Sequence, residues 1–274
     1  MRIGVAGMGL IGGSLAKAAK RAEIEVLVWN RTAATAERAV AEGAADGLLD
    51  GESMQECSVV YVALPPRAAV EWIDSHAPRY APGTIVTDCC GVKRTVCEAL
   101  RKYEARCPWT FVGGHPMAGR ETGGYGNSLS GLFDGASMIF TPYPSAGRRQ
   151  LDALESLSRS LGFARTVFTT PEEHDRMIAL TSQLAHAVSG AYARDPLAPA
   201  HAGFSAGSFA DMTRVASVDP VLWTELFMDN RDNLSAAIAG LAERLSEYRD
   251  ALDRGDREEL ETLLEKSRKA KEKL

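Results

Sequence analysis

The chain has no stretch approaching the roughly 20 apolar residues that a membrane-spanning helix needs, so nothing in it is expected to cross a bilayer. Cysteine is sparse: there are 5, an odd number with no CxxC pair, scattered among hydrophobic segments. That pattern excludes a disulfide framework and a thiolate metal site, and fits the reduced thiols of a cytoplasmic protein. An excess of basic charge is also missing, because Lys+Arg 31 against Asp+Glu 36 leaves a formal net charge of -5. Nucleic acid and anionic lipid are therefore not expected as partners, whereas a small anionic ligand needs only local positive charge. Internal repeats and low-complexity segments are absent too. What remains is a composition ordinary for a soluble globular protein, 45% hydrophobic and 24% charged. Its 274 residues suffice for one large or two modest domains but not for three.

Short β-branched runs at 3–6, 25–29, 59–63, 84–87, 111–113, 137–141 and 165–168 alternate with helical patterns at 10–21, 33–42, 68–76, 92–103 and 148–161. Such alternation predicts βα units feeding a mostly parallel, doubly wound sheet. Past Pro171 the pattern changes to a long helical stretch over 172–193 and helices from Phe209 almost to the end. The expected architecture is thus an α/β nucleotide-binding domain of the Rossmann type over 1–168, followed by an all-α domain over 169–274.

The first strand runs into Gly7-Met8-Gly9-Leu10-Ile11-Gly12 and a helix begins at once. Met1, Arg2 and the apolar run behind them superficially mimic a signal peptide, but this GxGxxG spacing explains them better. Gly7 allows a tight turn, Gly9 lets a pyrophosphate approach the backbone, and Gly12 lets helix and strand pack closely, while the helix N-terminus offers amide donors. Leu64, just past the third strand, completes the expected cofactor set, together with Asp88. An acidic residue about 20 residues past the glycines would accept the ribose hydroxyls of NAD. Here that position reads Asn30-Arg31-Thr32, and the missing acid, the cation and the hydroxyl favour NADP over NAD.

Three further clusters fall where chemistry is expected. Residues 88–93 (DCCGVK) follow the fourth strand and residues 113–121 (GGHPMAGRE) the fifth; the helical half carries SQLAH at 182–186 and FADMTR at 209–214. His115 is read as lying in a Gly-Gly-His-Pro turn at a strand end. A histidine titrating near pH 6.5 is suited there to take a proton from an alcohol while hydride leaves the same carbon. Arg214 is either a helix-surface ion-pair member or a clamp for a substrate carboxylate.

Taken together and in this order, residues 7–14 (GMGLIGGS), DCCGVK, GGHPMAGRE, SQLAH and DMTRVA resemble the prephenate/arogenate dehydrogenase family of tyrosine biosynthesis over nearly the whole chain. The resemblance implies a Rossmann domain joined to a helical dimerisation domain, a homodimer, and oxidative decarboxylation of prephenate or arogenate with NAD(P) and no metal. It implies that His115 is the catalytic histidine, that Arg214 binds substrate carboxylate, and that His186, Gln183 and Ser182 line the same pocket. Lys93 and Asp88 match the family's DxxxVK element, either contacting ligand or orienting the loop. Glu121 is placed to pair with the amino group of arogenate or to hold a pocket arginine. This chain departs from the pattern at Gly91, where many members carry serine beside the catalytic histidine, at Gln183 in place of histidine, and at Ala210 in place of arginine. Without that serine, His115 must be oriented by a water or another group. A β-hydroxyacid dehydrogenase would share the glycine-rich start, but it needs a lysine that 172–193 lacks. A non-catalytic NAD(P)-sensing protein would have no use for His115 and Arg214.

Overall fold

The computed structural model describes residues 1–120 and 122–273. Strands β1 (Arg2–Ala6), β2 (Glu25–Trp29), β3 (Gly47–Leu48), β4 (Val59–Val62), β5 (Ile85–Asp88), β6 (Thr110–Pro116), β7 (Ser137–Pro142) and β8 (Arg165–Phe168) form one sheet in the order β3-β2-β1-β4-β5-β6-β7-β8. All neighbouring pairs run parallel except β6 with β7, which are antiparallel. The strand order reverses beside β1 and β4, and an α/β sheet opens its ligand crevice at such a switch point.

Helices cover both faces, which is why the central strands are nearly unbroken apolar runs. On one face α1 (Leu10–Arg21), α2 (Ala33–Ala41) and α5 (Arg148–Ser160) pack Leu15, Ala36 and Leu154 against Val5, Val28 and Phe140. On the other, α3 (Pro66–His76) and α4 (Arg94–Leu100) pack Trp72, Ile73 and Leu100 against Val60, Val62 and Val86.

Two elements differ from the sequence expectation. Strand β3 has only two residues, too few for any periodicity to show. Strand β6 runs on through Gly113, Gly114 and His115, which pair with Thr141, Phe140 and Ile139. His115 therefore stands in a strand rather than in a turn. The glycines concealed this, because Gly is depleted in strands and only the antiparallel ladder to β7 holds them extended.

The helical half begins at α6 (Pro171–Ile178), whose start is set by Pro171 at its first position and by the Thr170 hydroxyl accepting from the Glu173 amide at 3.2 Å. A π-helical turn, Ala179–Gln183, joins it without a break to α7 (Leu184–Ala193). Then follow α8 (Gly207–Thr213), α9 (Pro220–Asp229), and the charged hairpin of α10 (Arg231–Asp253) and α11 (Arg257–Lys271), broken at Gly255 with φ 63°.

Candidate active site

The glycine-rich turn between β1 and α1 is built to receive a dinucleotide. Gly7 sits at φ 96°, and a Cβ there would strike the Ala63 carbonyl and Leu64; a Cβ on Gly12 would strike the Gly7 carbonyl. Around Gly9, by contrast, a Cβ would meet nothing within 4 Å, and the α1 N-terminus has no side-chain cap. Its first amides are therefore turned towards open space, the arrangement that binds a pyrophosphate. Met8 is buried, and Leu10 and Ile11 are half-buried beside it. Asn30 braces this turn: its side-chain oxygen accepts from the Met8 amide at 2.9 Å and its amide nitrogen donates to the Thr32 carbonyl at 3.1 Å. Arg31 and Thr32 are exposed at the start of α2, which also lacks a side-chain cap.

Behind this turn the ends of β5 and β6 are locked together. Lys93 and Asp88 form an ion pair of which neither side chain has any exposed surface. Lys93 also donates to the Gly114 carbonyl at 2.7 Å, while Asp88 accepts from the amides of Cys90 at 2.9 Å and Gly114 at 3.1 Å. The Asp88 carboxylate is thus fully engaged and shielded. It holds the strand carrying His115, the loop-orienting role that its motif also allowed.

His115 lies half-buried beyond this lock. Its Nδ1 is 2.9 Å from Nε2 of His174, and Nδ1 of His174 is 2.7 Å from Asp175 Oδ1. Both His174 and Asp175 belong to the first turns of α6 and are buried. Burial, His174 and Lys93 together hold the His115 imidazole well below its ordinary pKa, so it is neutral and able to accept a proton. Burial alone would raise the Asp175 carboxyl, but hydrogen bonds from His174 and from the Arg94 and Lys93 amides more than offset this and keep it ionised. Arg94 fastens the assembly to the helical half: it donates to Asp175 at 3.3 Å, to Asn230 at 3.1 Å and to Asp232 at 2.8 Å.

Helix α9 roofs the crevice. A Cβ placed on Gly91 would stand 3.6 Å from Leu226 and 3.9 Å from Cε1 of His115, in ordinary contact with both. One turn earlier, Trp223 lies against His186, with ring centroids 3.8 Å apart. His186 donates through Nδ1 to the Val215 carbonyl at 2.8 Å, which requires the tautomer protonated at Nδ1. Burial lowers the His186 pKa, opposed by that bond and reinforced by the positive charge of Arg214. Arg214 is exposed just past the end of α8, and Ser182 is half-buried in the π-helical turn. Gln183 is buried, however, with its amide nitrogen donating to the Leu226 carbonyl at 2.9 Å and its oxygen accepting from Asn230 at 2.8 Å. It ties α9 to the π-helical turn, with one hydrogen bond at each end of its amide. Glu121 lies outside the described residues.

His174, Asp175, Leu226 and Trp223 were not anticipated. Thr-Pro-Glu-Glu at 170–173 marks a helix start, so His174 and Asp175 are placed in its first turns by local signals alone. Their meeting with His115, 59 residues away, is tertiary.

A doubly wound sheet with an open glycine turn after its first strand and a histidine at the end of β6, joined to a helical half, is the arrangement of a nucleotide-dependent dehydrogenase. Residues 15–167 match the family described as prephenate dehydrogenase, nucleotide-binding domain, and residues 170–266 match prephenate dehydrogenase, dimerization domain. The chain belongs to the prephenate dehydrogenase family. The cyclohexadienyl dehydrogenase of Zymomonas mobilis is 28% identical over 280 residues, spanning 98% of this chain and 94% of that relative. The arogenate dehydrogenase structure from Synechocystis superposes with a TM-score of 0.85 at 27% identity, covering 100% of this chain and 99% of the other. The prephenate dehydrogenase of A. aeolicus, solved in complex with hydroxyphenyl propionate and NAD+, superposes with a TM-score of 0.84 at 27% identity, covering 100% and 98%. Among the described residues no helix is long and apolar enough to cross a membrane.

Proposed function

We infer that this oxidoreductase converts prephenate to 4-hydroxyphenylpyruvate by oxidative decarboxylation, with arogenate as the competing substrate. The observation that carries this reading is His115 at the end of β6, on the same mostly parallel sheet as the open glycine turn after β1 and near the helix that also contacts His186. A nicotinamide held by the glycine turn between β1 and α1 would supply the acceptor for the hydride that leaves ring C4. His115 accepts the proton of the C4 hydroxyl as that oxygen becomes a carbonyl, help worth roughly 10²–10⁴ in rate. Cleavage of the bond between the ring and its carboxylate releases CO₂, and the bonding pair enters the ring, which becomes aromatic and recovers the proton at oxygen. Arg214 clamps a substrate carboxylate, with Ser182 and His186 beside it. Glu121 follows HPMAGR directly and is proposed either to hold a pocket arginine or, where arogenate is the substrate, to pair with its ammonium.

Gly7, Gly9 and Gly12, with Met8, Leu10, Ile11 and Leu64, seat the pyrophosphate and the strand-end nucleotide. Exposed Arg31 and Thr32 at an uncapped helix start, with Asn30 where an acid would repel a phosphate, support NADP over NAD. The five cysteines are all unpaired, which supports the cytoplasm, and the exposed apolar surface of the helical half supports a homodimer. The test mixes pure protein with prephenate or arogenate and NAD or NADP, and follows the absorbance of the reduced nicotinamide. Signal is expected with prephenate and NADP; silence in all four combinations removes the assignment.

A further inference from the structure

We propose that His174 and Asp175 are positioning residues that hold His115 in one tautomer, with its proton on Nδ1 and its lone pair on Nε2, in place of the hydroxyl that Gly91 lacks. This deepens the reading of His115 as proton acceptor and rests on it. Asp175 is ionised and can only accept, so the contact at 2.7 Å requires the proton of His174 to sit on Nδ1. Neutral His174 is then bare at Nε2 and is an acceptor towards His115 at 2.9 Å, so that His115 must donate through its own Nδ1. Burial lowers the pKa of His174, a result consistent with the neutral form, although its bond to Asp175 opposes the shift. The remaining nitrogen of His115, Nε2, is left to accept a proton.

The chain of acceptors is anchored at its far end. Asp175 accepts from the Lys93 amide at 2.8 Å and the Arg94 amide at 3.0 Å, so it sits at the start of α4 and cannot rotate away. The groups facing the two imidazoles are Lys93 for His115, and Lys93, Asp175 and Asp88 for His174. No side chain at position 91 takes part, because Gly91 presents none, and Leu226 borders the position at 3.6 Å from where a Cβ would stand. A histidine in the wrong tautomer presents an N–H to the substrate hydroxyl and cannot take its proton.

Two readouts test this on the whole enzyme. Nitrogen NMR of histidine-labelled protein is expected to show His115 protonated at Nδ1 and bare at Nε2, and His174→Phe is expected to show a mixture of the two forms. In turnover, His174→Phe should lower kcat about tenfold to a hundredfold with KM changed less than about twofold. His174→Gln, whose carbonyl oxygen replaces the acceptor at Nε2, should return kcat to within about threefold of the parent. His174→Asn keeps a donor to Asp175 but not that acceptor and should stay impaired, which preserves the test if the phenylalanine variant does not fold. A parent His115 protonated at Nε2, an unchanged kcat in His174→Phe, or no recovery in His174→Gln overturns the proposal. The NMR result needs no substrate, so enzymatic silence with the expected tautomer removes the dehydrogenase reading and leaves the positioning role intact.

Discussion

The two halves of the molecule bury their apolar residues to very different degrees. Up to Phe168 both faces of the sheet are closed by packed clusters, and even the charged pair Lys93 and Asp88 is sealed inside. Beyond it the buried hydrophobic residues are few, among them Ile178, Leu184, Leu234 and Leu263, whereas Leu197, Phe204 and Val221 are 79%, 94% and 80% exposed. The first half is therefore a finished fold whose strand ends hold reacting groups still. The second half is a set of helices whose apolar surface is unfinished within one chain, and it supplies the roof and the arginine. Chemistry that tolerates little displacement belongs on the first, and grip that closes over a substrate belongs on the second.

The largest effect separates these two roles directly. His115→Asn removes the proposed proton acceptor from the rigid half and should lower kcat by roughly 10²–10⁴ while leaving nucleotide affinity nearly intact. Arg214→Gln removes a charge from the helical half and should act mainly on KM, by about tenfold to a hundredfold for a charge-assisted bond. Steady-state kinetics with both variants decide the matter. A KM effect at His115 and a kcat effect at Arg214 would reverse the assignment of roles.

The sealed pair of the first half sets the next effect. Lys93→Met leaves the Asp88 carboxylate buried without its cation and should cost about 3–5 kcal/mol in denaturant unfolding. The double variant Lys93→Met with Asp88→Asn carries no stranded charge and should recover part of that loss. Equal instability of the two variants would show that the pair matters only for its shape. In the second half the expected effect is on assembly. Val221→Asp places a charge on an apolar surface that a second copy is proposed to cover, and should weaken self-association at least about tenfold in sedimentation at decreasing concentration. An unchanged dimer would move the interface to another face.

The same contrast explains what the sequence revealed. Local signals sufficed for the glycine turn, for the helix that follows it, and for the change of pattern at Pro171, because GxGxxG and Thr-Pro-Glu-Glu act through neighbouring residues. Strand β6 was underestimated because Gly113 and Gly114 carry no strand preference and are held only by β7. Asp88 and Gln183 sat in motifs that pointed to ligand, yet their polar atoms are engaged by Gly114, Cys90, Asn230 and Leu226, partners that only the folded chain brings near. The pairing of His174 with His115 was hidden for the same reason: the start of α6 is legible from local signals, but the strand that carries His115 and the distance between the two are properties of the folded sheet and α6 together.

The smallest effect concerns the outer edge of the first half, where the comparison is least sharp because Arg31 is solvent-exposed like much of the helical surface. A cation there, with the Thr32 hydroxyl and the uncapped amides of α2, suits the 2′-phosphate of NADP, while water and salt screen the interaction. Arg31→Ala should therefore raise KM for NADP only about fivefold to tenfold and leave KM for NAD nearly unchanged, with a smaller difference at high ionic strength. The contrast between nucleotides matters more than the size of either change. Loss of both activities in parallel would mean that Arg31 stacks on the adenine common to both, and the preference for NADP would then have to come from Asn30 and the absent acid alone.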